Sequence, residues 1–151
     1  NAQTRPDPMQ IAFDEARAAV ARGEVPVGAV VVQGEKLLAR AGNRTRADAD
    51  PTAHAEILAI REAARILGSE RLIGCDLYVT LEPFAMCAAA ISFARIRRLY
   101  FGAYDPKSGG VEHGGRFFEQ PTCHHAPEVY GGFRESEAAD LLREFFRERR
   151  D

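Results

Sequence analysis

Apolar positions along the chain fall into alternating helical and strand periods. Asp7-Pro8 is a capping carboxylate followed by proline at a first helical position, and Met9, Ala12, Phe13, Ala16 and Val20 then recur at helical spacing until Gly23. The β-branched run at 25–32 turns at Gln33-Gly34 into 36–41, which predicts a hairpin whose first strand is buried on both faces. A polar, charged loop follows at 43–51. Ile57, Ile60, Ala64 and Leu67 mark one face of a second helix over 51–67, stopped by Gly68. Leu77, Val79 and Leu81 oppose Tyr78 and Thr80 in a strand over 76–81. An Ala-rich helix at 83–94 and a short strand at 98–102 come next. The segment 105–127, rich in Gly and His, reads as one long loop, and loops of that length are usually functional. A last short strand at 128–130 precedes a closing helix at 135–149 with Ala138, Leu141, Leu142, Phe145 and Phe146 facing inward. This order predicts a mixed sheet between helices, with the hairpin first and the crossovers later.

The length of 151 residues fits one domain over 1–151, with the polar start at 1–7 expected to be disordered. A net charge of only −2 sets up no global basic field, so a nucleic-acid partner would have to be met by a local patch. Three cysteines, Cys75, Cys87 and Cys123, stand at irregular spacing and form no disulfide framework, which points to reduced thiols in a cytoplasmic protein. No apolar run is long enough to span a bilayer and no signal peptide opens the chain, so no membrane association is expected.

Two segments carry candidate chemistry, His54-Ala55-Glu56 and Pro83-Phe84-Ala85-Met86-Cys87. Each opens a predicted helix, where unpaired N–H groups and positive partial charge favour a thiolate or hydroxide nearby. Either one alone is weak. A lone histidine at a helix start is usually a solvated or core side chain, and a lone cysteine in an Ala-rich helix is usually a small hydrophobe. Together they match the zinc-deaminase signature, H-x-E followed by P-C-x-x-C, at His54, Glu56, Pro83 and Cys87, but not at Phe84.

The match extends to Gly-Asn-Arg at 42–44, Pro-Thr-Ala-His-Ala-Glu at 51–56 and Leu-Tyr-Val-Thr-Leu-Glu-Pro at 77–83. It continues through Phe-Gly-Ala-x-Asp-Pro-Lys at 101–107 to Phe-Phe-Arg-x-Arg-Arg at 145–150. On these segments the chain resembles the bacterial tRNA adenosine deaminases of the cytidine and deoxycytidylate deaminase superfamily, nearly throughout from about residue 9. The resemblance implies a three-layer α/β/α cytidine-deaminase-like fold, a five-stranded mixed sheet with helices on both faces. It implies hydrolytic deamination of adenosine to inosine at the wobble position of a tRNA anticodon stem-loop, with the target base flipped out of its stack. It further implies one zinc ion (Zn2+) per subunit, held by three protein ligands that leave a fourth position for water. His54 and Cys87 would be two of those ligands and Glu56 the proton shuttle. Glu56 follows His54 by about 200° on an ideal helix, so both reach one site only where the helix is irregular or just beginning. Asn43 would contact the flipped adenosine, Val27 and Ala29 would line the base pocket, and Asp105 with Lys107 would hold the target ribose and phosphate. Phe145, Arg149 and Arg150 would pack on the anticodon loop, and a homodimer would form through 88–94. Plainer roles stand beside these: Asn43 and Asp105 as turn residues, Phe145 as core, and Arg149-Arg150 as a solvated end balanced by Glu148 and Asp151.

Phe84 stands where the signature has its first cysteine. Phenylalanine has no lone pair to offer, and two protein ligands in a site built for three weaken zinc strongly. Cys75, nine residues upstream, is expected roughly 25–30 Å away at ~3.3 Å per strand residue. His113, Cys123, His124 and His125 lie on the long loop, from which one could supply a replacement ligand. Two alternatives follow: a deaminase of a free base or nucleoside such as guanine or cytosine, and a metal-poor, noncatalytic RNA-binding subunit.

Overall fold

The structure is a computed structural model that describes residues 7–149. Ten elements follow one another: α1 Pro8–Ala21, β1 Gly28–Gln33, β2 Lys36–Gly42, α2 Ala55–Leu67, β3 Cys75–Leu81, α3 Ala85–Phe93, β4 Arg98–Ala103, a 3-10 turn Phe117–Glu119, β5 Glu128–Tyr130 and α4 Glu135–Arg149. The expectation of disorder for 1–6 lies outside the described residues. Asp7, counted in the same stretch, is ordered: it caps α1, its carboxylate accepting a hydrogen bond from Met9 N at 3.0 Å.

The five strands lie in the order β2-β1-β3-β4-β5. β1 is antiparallel to β2 and β3, whereas β3–β4 and β4–β5 are parallel. A parallel neighbour needs a crossover, and α3 supplies the one between β3 and β4. Two helices cover one face of the sheet. A Cβ added to Gly28 would lie 1.9 Å from the Ala12 carbonyl of α1, and one added to Gly102 would lie 2.8 Å from the Ala138 Cβ of α4. Register places Gly28, Thr80 and Gly102 side by side on that face. Arg134 ties α1 to α4 there through Asp7 and Gln10. α2 and α3 pack on the opposite face, burying Ala59, Ala63, Ala88 and Ile91. The expected mixed sheet with helices on both faces is therefore the observed one.

Element starts moved more than element types. β1 begins at Gly28, because Pro26 lacks a donor for the ladder and Val25–Val27 instead forms a tight turn closed by Val27 N to Val25 O at 2.8 Å. α2 begins at Ala55 and α3 at Ala85, each several residues or a dipeptide after its proline. Thr52 folds back on Asp50, donating both its N–H and its hydroxyl to Oδ1, and this turn delays α2. In α4, Ala138 and Phe145 are buried as expected, but Phe146 is 50 % exposed. Four large positions in α4 cannot all turn to one sheet edge at 3.6 residues per turn.

Gly28 is the closest approach of helix to sheet. Gly28→Ala is expected to destabilise the fold by at least about 2 kcal/mol. Gly115→Ala, with nothing within 4 Å of the added methyl, should stay within about 0.5 kcal/mol of the parent. Urea unfolding of the two variants checks both.

Candidate active site

α2 and α3 begin at the same end of the sheet, and their first residues share one chamber. His54 is the N-cap of α2, with extended backbone (φ −74, ψ 151). Its imidazole therefore leaves the chain before helical geometry sets in, which removes the 200° conflict with Glu56 in the first turn. Phe84 is the equivalent N-cap of α3 (φ −73, ψ 171), and Cys87 lies in the first turn behind it. The ligand atoms of His54, Glu56 and Cys87 all lie within 4.8 Å of one another. The Phe84 ring stands edge-on to the His54 ring, 5.8 Å between centroids.

Burial sets the protonation of this cluster. Glu56 is 3 % exposed, and burial raises its pKa to about 7, against opposing hydrogen bonds from its own N–H and from the Cys87 thiol. A carboxylate at a helix start gains about 0.3–2 kcal/mol from the macrodipole. The shift from 4.5 to about 7 corresponds to roughly 3 kcal/mol in the other direction, so desolvation wins. Burial, reinforced by the charge of Glu56, pushes the Cys87 thiol well above its ordinary pKa. Burial lowers the pKa of His54, leaving a neutral imidazole at neutral pH.

The inner chamber has a volume of about 180 Å³ and is walled by Val25, Val27, Asn43, Thr45, Leu81 and Phe84 around His54 and Glu56. It opens past Val25, Leu81 and Phe84 into an outer cleft of about 630 Å³, flanked by Tyr104, Asp105, Lys107, Phe146 and Arg149. Asn43 and Val27 thus stand on the chamber wall. Ala29 does not: it is fully buried in β1, paired with Ala41 and Val79. Asn43 has a structural task as well, its Oδ1 accepting from Ala55 N at 2.9 Å at the start of α2 and its Nδ2 donating to Val25 O. Asp105 also closes a turn, with Oδ1 accepting from Lys107 N and Ser108 N. Phe145 is 7 % exposed and sits in a separate groove beside Arg17 and Val20, while its neighbour Phe146 lines the outer cleft. The Arg149 guanidinium lies 4.4 Å from the Phe145 ring centre. Arg150 lies outside the described residues.

Two buried glutamates that sequence reasoning assigned no role hold the loops around the chamber. Glu24, 1 % exposed, accepts from the Thr45 hydroxyl, Arg46 N and Ala47 N. Glu82, also 1 % exposed, accepts from the backbone N–H groups of Asp105, Val111, Glu112 and His113 and pairs with the His113 ring at 2.8 Å. Burial alone would raise the Glu82 pKa, but these donors outweigh it and hold the carboxyl below its ordinary value. Its contribution to stability is therefore present above about pH 4.5 and is lost as pH falls through the depressed value.

No described residue outside the cluster completes a set of metal donors. Among the described residues, His54, Glu56 and Cys87 are the one group of such side chains close enough to share a cation. His113 is held by Glu82, and the His125 ring meets Ile96 O at 2.8 Å. Cys123 contacts His125 O and the Ser92 hydroxyl, and His124 is exposed. Cys75 is buried at the start of β3, its thiol donating to Ile73 O. One imidazole, one thiol and one carboxylate do not fit the one-imidazole, two-thiolate set that the deaminase signature describes.

Residues 3–103 match the family model described as the cytidine and deoxycytidylate deaminase zinc-binding region. The chain belongs to this family of zinc-binding deaminases. Within it, the chain is 66 % identical over 142 residues to the tRNA-specific adenosine deaminase of Agrobacterium fabrum, covering 94 % of this chain and 93 % of the relative. It superposes with a TM-score of 0.88 and 65 % identity on a solved structure from work on A-to-I editing by tRNA:A34 deaminases at the wobble position, covering 89 % of this chain and 98 % of that one. A guanine deaminase from Bacillus subtilis is more distant, at 28 % identity and a TM-score of 0.65 over 91 % of this chain and 90 % of that one.

Glu56 is charged on folding at a loss above pH 7, and that loss disappears below about pH 4.5, where it is neutral in both states. With chelator present, Glu56→Gln is therefore expected to raise stability at pH 8 by about 2–3 kcal/mol and to leave it nearly unchanged at pH 4. Chemical denaturation of the two proteins at both pH values checks this. Glu82→Gln turns an amide N–H toward backbone N–H donors and should destabilise by about 2–3 kcal/mol at pH 7.

Proposed function

We propose that this chain hydrolytically deaminates adenosine to inosine at the wobble position of a tRNA anticodon loop. The convergence of His54, Glu56 and Cys87 at two helix starts carries the reading, because it brings the histidine, the glutamate and one cysteine of the family's signature together beside a small chamber. The chamber is small beside the ~300–1,000 Å³ common for ligand pockets, so it takes a single heterocycle while the rest of the nucleotide stays outside. A base in a folded RNA must leave its stack to enter. Glu56, with a pKa of about 7, is suited to take a proton from the attacking water and pass it to the base at neutral pH. In the outer cleft, Lys107 and Arg149 supply a local basic patch for phosphate despite the chain's net charge of −2, and Phe146 offers an exposed ring for stacking. The high identity to tRNA-specific adenosine deaminases, against 28 % to a guanine deaminase, favours RNA over free bases as substrate.

Zinc is the cofactor of the family. We infer that Phe84 occupies the position of the signature's first cysteine and that one zinc per chain binds here with reduced occupancy. Phe84 is also the observation behind a second reading, a metal-poor RNA-binding subunit without catalysis. A homodimer is inferred through the region 88–94 of α3 and its neighbouring arginines, where Phe93 is 74 % exposed. Among the described residues no helix is long and apolar enough to cross a membrane, and a cytoplasmic setting suits a tRNA substrate.

Inosine formation in an anticodon stem-loop, compared with ammonia release from guanine and cytosine, tests the assignment: the product is expected from the RNA and not from the free bases. Phe84→Cys should raise both zinc occupancy and inosine yield, by at least about 100-fold for the yield, since even outer-shell changes alter metal sites 10–100-fold. Stem-loop binding that persists without inosine in either protein would favour the noncatalytic reading.

A further inference from the structure

We propose that zinc entering this chain is held by three of its own side chains, His54, Cys87 and Glu56, so that the carboxylate which should move protons becomes a ligand. The inference rests on the reading of the chamber as the family's metal site and goes beyond it by changing the ligand set. Zinc in such sites takes three protein donors, and the Phe84 ring supplies none. The other histidines and cysteines among the described residues are outside the chamber, most of them engaged with partners there.

Glu56 meets the requirement by position. Tetrahedral ligands about 2.0–2.3 Å from zinc stand about 3.3–3.8 Å from one another. The three ligand atoms already lie within 4.8 Å of one another, so small side-chain movements close them on an ion. Charge favours the same set. A divalent ion with one thiolate would leave a net positive charge in a chamber whose floor, Glu56 and Cys87, is almost fully buried. Adding a carboxylate makes the assembly neutral, which avoids the large penalty of an uncompensated buried charge. On binding, the thiol proton of Cys87 leaves to solvent, together with that of Glu56 in the molecules that carry one.

Loading and turnover then oppose one another. A carboxylate bound to the ion is not free to carry a proton, so the zinc-loaded chain with Phe84 is a slower deaminase than a chain with cysteine there. Phe84→Cys restores the second sulfur and releases Glu56.

The test is zinc affinity, measured by competition with a chromophoric chelator, in four proteins: the native chain, Glu56→Gln, Phe84→Cys and the double variant. Glu56→Gln should weaken zinc at least about 30-fold when residue 84 is phenylalanine and less than about threefold when it is cysteine. Equal affinity of the native chain and Glu56→Gln overturns the proposal. So does a native chain that takes no zinc while Phe84→Cys takes one ion per chain, an outcome that leaves the deaminase reading standing. If neither takes zinc, the reading of the chamber as a metal site fails with it. Should Phe84→Cys not fold, the zinc-induced rise in unfolding temperature decides the matter alone: it is expected in the native chain and absent in the isosteric Glu56→Gln, and a rise of equal size in both contradicts the proposal.

Discussion

Everything in the chamber depends on two helices starting beside one another at the same end of one sheet. The sheet order puts β1 and β3 next to each other, with α2 leading into β3 and α3 leaving it. Chemistry is then carried by residues at or just inside the helix starts, where backbone is only half committed to helical geometry. His54 uses that freedom. As an extended N-cap it aims its ring at a point that Glu56, one step into the helix, also reaches. The same geometry at α3 would aim residue 84 at that point, and the ring of Phe84 does lie against His54.

Around this point the protein uses buried carboxylates as anchors for irregular chain. Glu24 and Glu82 sit beneath the loops on either side of the cleft, each satisfying several backbone donors that would otherwise be buried without partners. Glu56 differs from them in one respect. It has few donors to offset its burial, so it is the carboxylate that titrates near neutrality, while the donor-rich Glu82 is held below its ordinary range. Three glutamates in similar burial are thus divided between scaffold and chemistry by the number of N–H groups aimed at them.

Much of this was legible in the chain because helix and strand periods are strong here. α1, β2 and α4 stand nearly where the apolar spacing puts them, and β5 is found at 128–130. The starts of β1, α2 and α3 were not, since each is set by a turn: Val25–Val27, Asp50 to Thr52, and the extended Phe84. His54, Glu56 and Cys87 were visible as a spaced signature. Glu24 and Glu82 were not, because a lone acid in sequence carries no sign of which loop will fold over it. Phe145 and Phe146 were indistinguishable as neighbours until the helix phase turned one into a groove and the other into the outer cleft. The resemblance put Ala29 beside Val27 on the base pocket, but Ala29 lies within β1 between β2 and β3 and is fully buried there.

The chemistry of this chamber is decided by which atoms surround a metal ion in it. X-ray absorption at the zinc edge, on the native chain loaded with one equivalent, reports them directly. The expected shell has a single sulfur at about 2.3 Å and lighter nitrogen and oxygen atoms at about 2.0–2.2 Å. A shell with two sulfurs, or with none, would contradict it.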